Sequence, residues 1–112
     1  MITIDNAFRI TMTRGDTFQR TLVLTKNGET YTPQEGDVIR FAMSKKFEGQ
    51  NGYALLLEKT IPNDTLLWTI DAEETKMLPY GTYNYDLQIT YADGSVETFA
   101  DKKTIKLTEE VL

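Results

Sequence analysis

The chain has 112 residues, 40% of them hydrophobic and 11% aromatic, which is typical of one globular domain over residues 1–112 and excludes a disordered chain. Its formal net charge of −5 opposes binding to nucleic acid and to acidic membrane surfaces, so neither is an expected partner. Because it has no cysteine and no histidine, disulfides and thiolate metal sites are excluded and the usual general base is missing, so we expect no enzyme activity and no cofactor.

Two apolar alternations near the N-terminus predict the first two strands. The alternating side chains are Phe8, Ile10 and Met12 in the first strand and Phe18, Leu22 and Leu24 in the second. Between them, Arg14, Gly15 and Asp16 are predicted to form a tight turn, in which the glycine supplies a positive φ. An exposed Arg-Gly-Asp tripeptide can also engage integrins, but a structural turn explains the glycine and the aspartate without adhesion.

The middle of the chain predicts a hairpin, two long strands and a loop. Asn27-Gly28 tolerates the positive φ of a tight hairpin turn, so the chain should return through a short strand ending near Tyr31. Strands are predicted over Val38 to Lys45 and over Ala54 to Ile61. Between these strands, the segment from Phe47 to Tyr53 is rich in glycine and asparagine and is predicted to be a mobile loop.

A further strand and a short helix are predicted next. Leu66, Trp68 and Ile70 alternate with polar or opposite-facing residues, which places the tryptophan in the core. Asp71 and Glu74 then have the spacing of a capping box, which predicts a helix start. Leu78-Pro79 should end this helix.

The last two strands are predicted to form a hairpin. The clearest alternation of the chain runs from Thr82 to Tyr91, and Asp93-Gly94 after it predicts a type I′ turn with positive φ at both residues. In this register Val96 faces Tyr91 and Ala100 faces Leu87. Later apolar residues have the opposite parity, so we expect a β-bulge near Asp101-Lys102.

Taken together, these elements predict an all-β, immunoglobulin-like antiparallel β-sandwich of seven or eight strands, with one short helix before the penultimate strand. Gly81, Tyr83 and Tyr85, just after the helix, have the layout of the tyrosine corner found in such sandwiches. Tyr85 would stand where antibody domains place a cysteine. A small barrel or a jelly-roll fragment uses the same strands, and periodicity does not separate these folds.

Two groups of side chains are candidates for ligand sites. Asp71, Glu73 and Glu74 lie close enough in sequence to hold calcium, but their spacing is not that of an EF-hand, and capping explains two of them. Four tyrosines could form a platform for sugars, although core packing is the stronger interpretation because most share the parity of apolar residues. These are Tyr80, Tyr83, Tyr85 and Tyr91.

Four segments carry a resemblance through their order and spacing. They are Met12 to Thr17, Gly36 to Phe41, Leu78 to Asp86 and Tyr91 to Gly94. Together they are similar to small prophage-encoded structural proteins of Gram-positive bacteria, and they resemble the N-terminal β-sandwich module of phage baseplate upper proteins over nearly the whole chain. In that family the module docks onto the tail and the protein continues into helical or receptor-attachment regions. The resemblance therefore implies a small tail or baseplate component.

The expected partners are other virion or tail proteins, with homo-oligomers within an assembly as a further option. The N-terminus shows no signal-peptide pattern, so we expect synthesis in the host cytoplasm and a place in the virion after assembly. Docking is expected to use one sheet edge together with the loop from Phe47 to Tyr53. The alternative is a carbohydrate-binding or adhesion β-sandwich module presented at a surface, and an inhibitor or regulator carried by a mobile element is a third option.

Overall fold

The computed structural model describes the backbone of residues 2–4 and all atoms of residues 9–46, 49 and 51–109. These residues form ten strands and one helix, so the chain is mostly β, as predicted. The elements are β1 (Ile2–Ile4), β2 (Ile10–Thr13), β3 (Phe18–Thr21), β4 (Leu24–Lys26), β5 (Glu29–Thr30), β6 (Val38–Lys45), β7 (Ala54–Ile61), β8 (Leu67–Ile70), α1 (Ala72–Lys76), β9 (Gly81–Thr90) and β10 (Val96–Thr108). The helix directly precedes the penultimate described strand, which confirms its predicted place.

Strands β2, β10, β9, β6 and β7 form one sheet in that order, β3 and β8 form a second, and β1, β4 and β5 form a third. All pairs are antiparallel except β2 and β10, which run parallel with Ile10 opposite Ile105. The expectation of a purely antiparallel arrangement was therefore wrong for this pair. Because almost the whole chain separates the two strands, no tight turn forces them to be antiparallel.

The second predicted strand is two strands in different sheets. Leu22 and Leu24 are buried, whereas Val23 between them is exposed. Leu22 donates its backbone N–H to Leu66 O at 2.9 Å, which continues the pairing of β3 with β8. From Leu24 onward the chain pairs with β1 and β5 instead. This division contributes to a strand count above the predicted seven or eight.

The core lies between the five-stranded sheet and the β3–β8 pair. Trp68 of β8 is fully buried, as predicted, and its ring centroid lies 5.0 Å from Phe18, 5.1 Å from Phe41 and 5.2 Å from Tyr85. These rings join β3 and β8 to the two central strands β6 and β9. Edge-to-face and tilted aromatic pairs add to the apolar burial that stabilises the layers.

The β9–β10 hairpin pairs antiparallel as predicted, but its turn is not type I′. Gly94 has a φ of 90°, whereas Asp93 does not have a positive φ. Asp93 Oδ1 instead accepts hydrogen bonds from the backbone N–H and the hydroxyl of Ser95, at 2.8 and 2.6 Å, which stabilise a longer turn. The longer turn moves Val96 opposite Thr90 rather than Tyr91.

Irregularities in β10 then restore the predicted register. Ala100 lies opposite Leu87, as predicted, after a shift that follows Thr98. A second shift between Ala100 and Lys103 confirms the bulge predicted near Asp101-Lys102, and Lys102 has a φ of 47°. The bulge lets Ile105 face the core.

Candidate docking surface

Strand β7 is an edge strand of the five-stranded sheet. Its eight residues begin directly after Asn51, Gly52 and Tyr53, the described end of the predicted loop; Phe47, Glu48 and Gln50 lie outside the described residues. The prediction that this loop is mobile stays a prediction. The chain therefore places a long sheet edge directly after Asn51, Gly52 and Tyr53.

Two large side chains at the start of this edge face solvent. Tyr53 is 45% exposed and Leu55 is 59% exposed. Leu57 pairs with Met43 and Leu55 pairs with Ser44, so the register shifts by one residue between them. Leu55 and Leu57 are two residues apart and would share one face of a regular strand. Because Leu57 lies opposite the fully buried Met43, the shift explains how Leu55 can face solvent instead.

The bulge of β10 brings a cation to the same place. Lys102 Nζ lies 5.4 Å from the centroid of the Tyr53 ring, within range of a cation–π contact. The backbone of Lys102 is held by Asp86 Oδ1, which accepts from its N–H at 2.5 Å, and by Asn84, whose amide donates to its carbonyl at 3.3 Å. We call β7 together with Tyr53 and Lys102 the docking edge.

The second half of β7 is tied to the rest of the fold by Lys59. Its ammonium donates to the backbone carbonyl of Thr69 at 3.0 Å and to Glu74 Oε1 at 2.8 Å, and it lies 3.6 Å from Asp71 Oδ2. Lys59 thus joins β7 to β8 and to α1. An inward-pointing charge on an edge strand also opposes uncontrolled pairing with other strands.

The Arg14-Gly15-Asp16 segment forms a turn that packs on the end of α1. Gly15 has a φ of 88°, and Asp16 donates its N–H to Thr13 O at 3.1 Å. The Arg14 guanidinium lies 4.3 Å from the centroid of the Tyr80 ring and donates to Leu78 O at 3.3 Å. The backbone N–H of Gly15 donates to Thr75 Oγ1 at 2.9 Å. Contacts within the fold therefore occupy the arginine.

The tyrosine-corner residues lie at the start of β9. Tyr83 is 1% exposed, and its hydroxyl donates to the carbonyl of Pro79, four residues upstream, at 2.6 Å. Gly81 has a φ of 143°, which an L side chain rarely adopts. Tyr85 is fully buried against Trp68, and burial raises its pKa to about 12. The Tyr83 hydroxyl thus joins the start of β9 to the backbone just before it, and the assignment of these three residues to a tyrosine corner stays a prediction.

The four tyrosines do not share an exposed face. Tyr83 and Tyr85 are buried, whereas Tyr80 is 44% exposed and has the Arg14 guanidinium over one face of its ring. Tyr91 is half-buried and packs edge-on against Tyr31, with centroids 6.3 Å apart. The core interpretation of the β9 tyrosines is confirmed, and no sugar platform forms from these four residues.

The acidic residues near α1 serve the helix and Lys59. Glu74 Oε1 accepts from the backbone N–H of Asp71 at 2.7 Å, the carboxylate half of the predicted capping box. Both carboxylates also face Lys59. Within the described parts of the chain, no three acidic side chains converge in a way that could hold a metal ion.

Asp37 is a buried hub that sequence reasoning missed. Its carboxylate is 6% exposed and accepts from the Tyr31 hydroxyl, from the N–H of Gln34 and from the N–H of Ala92, at 2.6, 2.8 and 3.1 Å. Its carbonyl accepts from the Asn63 amide at 2.7 Å. The available signal was an aspartate at the end of a turn-forming loop, immediately before an apolar strand.

In the part of the chain that the structure covers, no helix combines the length and the apolar character needed to cross a membrane. No protein-family model matches the chain, and a comparison with curated proteins finds no match.

Proposed function

We propose that this chain is a non-enzymatic structural protein of a phage or prophage particle, a tail or baseplate component that acts through contacts with other virion proteins. The sequence resemblance of four segments supports the class of protein. The observation that carries the mode of action is the outer side of β7, which pairs with no other described strand and has Tyr53 and Leu55 exposed beside it. After synthesis in the host cytoplasm, the protein joins the virion.

The fold proposed for this role is an immunoglobulin-like sandwich. The order β10, β9, β6, β7 matches the G, F, C and C′ strands of a variable-type domain, and the pair β3–β8 matches strands B and E. Helix α1 and the Tyr83 hydrogen bond then fall at the corner between strands E and F. Tyr85 and Trp68 pack together in the centre, although Trp68 lies on the strand that matches E, whereas antibody domains carry their central tryptophan on strand C.

Docking by the edge follows from the chemistry of β7. An edge strand presents unpaired backbone N–H and C=O groups, to which an extended segment of another protein can add as a further strand. Tyrosine is among the residues enriched at protein interfaces, and Leu55 supplies apolar area next to it. Lys102 adds a positive charge at this end of an otherwise acidic protein. The partner segment is therefore extended, apolar opposite Leu55 and acidic opposite Lys102.

Particles from an induced lysogen provide the test. Proteomics of purified particles should detect this chain at a fixed copy number, and crosslinking mass spectrometry should join residues 51–57 or Lys102 to another virion protein. Absence from the particles would end the proposal. Crosslinks to virion proteins from other surfaces alone would refute docking through the docking edge but would still support the structural role.

A matched pair of variants sharpens the docking test. Leu55→Glu places a charge on the docking edge, whereas Val96→Glu places one on β10, at a residue that is 56% exposed compared with 59% for Leu55. We expect both variants to fold, and only Leu55→Glu to lose incorporation. Equal incorporation of the two would contradict docking by β7.

A further inference from the structure

The chain contains two Asn-Gly pairs in very different local structures. Asn27-Gly28 is the turn of the β4–β5 hairpin, whereas Asn51-Gly52 lies in an exposed bend that leads into β7. This contrast matters because an asparagine followed by glycine is chemically labile. The side chain and the next backbone nitrogen can react with each other.

In this reaction the backbone nitrogen of the glycine attacks Cγ of the asparagine side chain. A new C–N bond closes a five-membered succinimide, and the side-chain nitrogen leaves as ammonia. One water molecule then opens the ring at either carbonyl, which gives aspartate or isoaspartate. Glycine favours the attack because it has no Cβ to block the approach and its backbone moves freely.

The hairpin protects Asn27 from this attack. Asn27 and Gly28 have φ values of 53° and 81°, and they form the turn that the pair of Lys26 with Glu29 closes, followed by the pair of Thr25 with Thr30. To bring the Gly28 nitrogen onto Cγ of Asn27, the turn must rotate out of this geometry and disturb the pairing of β4 with β5. Protection therefore lasts as long as the hairpin does.

Among the described residues, no strand pairing restrains Asn51 in this way. Both Asn51 and Gly52 are exposed, and no described hydrogen bond involves either residue. A Cβ built on Gly52 meets nothing within 4 Å, so no described residue packs against Gly52 on that side. The bend can reach the attacking geometry without breaking a strand pair.

We propose that Asn51 is a site of spontaneous modification, at which succinimide formation with Gly52 yields aspartate and isoaspartate while Asn27 in the folded chain stays intact. The product carries one additional negative charge two residues before Tyr53. Isoaspartate also adds one atom to the backbone path. The consequence for docking rests on the proposed function. We expect aged subunits to dock less well, because the new negative charge lies beside the docking edge and repels the acidic partner segment opposite Lys102.

Peptide mass spectrometry on folded protein aged in warm, mildly alkaline buffer tests the chemistry. We expect amide-to-acid conversion and isoaspartate in the peptide that contains Asn51, with the Asn27 peptide unchanged. In concentrated urea both peptides should convert at similar rates, because the hairpin is lost. Equal rates in the folded protein, or an Asn51 peptide that does not convert, would overturn the proposal.

Two variants complete the test. Gly52→Ala, for which there is room, should slow conversion at Asn51 without altering the fold. Asn51→Gln forms the analogous ring far less readily and keeps the amide, so aged Asn51→Gln protein should dock as fresh protein does. If aged wild-type protein docks equally well, the effect on docking is refuted while the modification stands. If fresh protein does not enter particles at all, the proposed function fails and the modification is unaffected.

Discussion

The hydroxyl of Tyr31 donates a 2.6 Å hydrogen bond to Oδ2 of Asp37 and thereby joins the end of the β4–β5 hairpin to the start of β6. The same carboxylate accepts from the backbone of Ala92 in the β9–β10 turn, 55 residues away. Burial, together with the hydrogen bond and charge of Asp37, raises the pKa of Tyr31 to about 12, so the phenol keeps its proton near neutral pH. Two connections at one end of the sheet, that between β5 and β6 and that between β9 and β10, therefore depend on one buried carboxylate.

Replacing this carboxylate by an amide should destabilise the protein. In Asp37→Asn the amide nitrogen must face at least one N–H donor, so a buried hydrogen bond is lost and a donor is left unsatisfied, which costs about 1–3 kcal/mol. The free energy of unfolding is measured by urea titration with Trp68 fluorescence. Asp64→Asn is the control, because Asp64 is exposed and, within the described residues, its side chain accepts a hydrogen bond only from the neighbouring Thr65 N–H. Equal stability of the two variants would show that Asp37 is not a hub.

Because of the Asp37 carboxylate, we expect the protein to lose stability in acid. Burial alone would raise the pKa of Asp37, but hydrogen bonds from Tyr31, Gln34 and Ala92 and the charge of Lys26 outweigh it and hold the pKa below its ordinary value of 3.8. A carboxyl with a lowered folded pKa contributes its full stability above pH 3.8 and loses it as the pH falls through the folded value. The difference in the free energy of unfolding between wild type and Asp37→Asn should therefore become smaller as the pH falls below 3.8. A difference that stays constant with pH would contradict the proposed dependence of stability on the ionised Asp37 carboxylate.

Gly36 and Gly94 offer a comparison of strain with and without a clash. Their φ values are 93° and 90°, so an alanine at either position is strained by about 1–2 kcal/mol. A Cβ on Gly36 would also lie 2.8 Å from Cβ of Ala92, whereas one on Gly94 meets nothing within 4 Å. Gly36→Ala should therefore lose about 1–3 kcal/mol more than Gly94→Ala. Thermal unfolding of both variants measures these losses of stability. Equal losses would mean that the turn around Ala92 moves away from the new Cβ without loss of stability.

Lys59 should matter more to stability than a surface lysine. In Lys59→Met, the Thr69 carbonyl and the Glu74 carboxylate lose a donor that reaches them at 3.0 and 2.8 Å. Because the Lys59 side chain is still 22% exposed, solvent partly replaces the lost contacts, and we expect a loss of about 1–2 kcal/mol. Urea unfolding measures the effect, with Lys103→Met at an exposed position as the control. The proposed link between β7 and β8 would be refuted if both variants unfolded at the same urea concentration.

Local patterns were sufficient to predict most of the elements. The bounds of β6 and β7 agree with the predicted Val38 to Lys45 and Ala54 to Ile61, and the capped helix lies where Asp71 and Glu74 indicated. Alternation and capping depend on residues a few positions apart, so one sequence is enough to identify them. The bulge near Lys102 also followed from parity alone.

Long-range relationships were not predictable in the same way. The parallel pairing of β2 with β10 depends on residues at opposite ends of the chain, and no periodicity within either strand records it. The bonds from Asp37 to Ala92 and from Lys59 to Glu74 likewise join separate elements. The predicted type of the turn at Asp93 was wrong. Ser95 supplies side-chain and backbone donors to Asp93, and these hydrogen bonds favour a longer loop than the Asp-Gly pair indicates.

The hydrogen bond of Tyr83 provides a separate test of the corner between α1 and β9. In Tyr83→Phe the buried ring keeps its packing, but the Pro79 carbonyl loses the donor that reaches it at 2.6 Å. We expect a loss of about 0.5–1.5 kcal/mol in the free energy of unfolding, measured by urea titration. Tyr53→Phe, at a tyrosine that is 45% exposed, should change stability little. If Tyr83→Phe were as stable as the control, then packing alone would hold the corner, and the hydroxyl would have no part in directing the chain from α1 into β9.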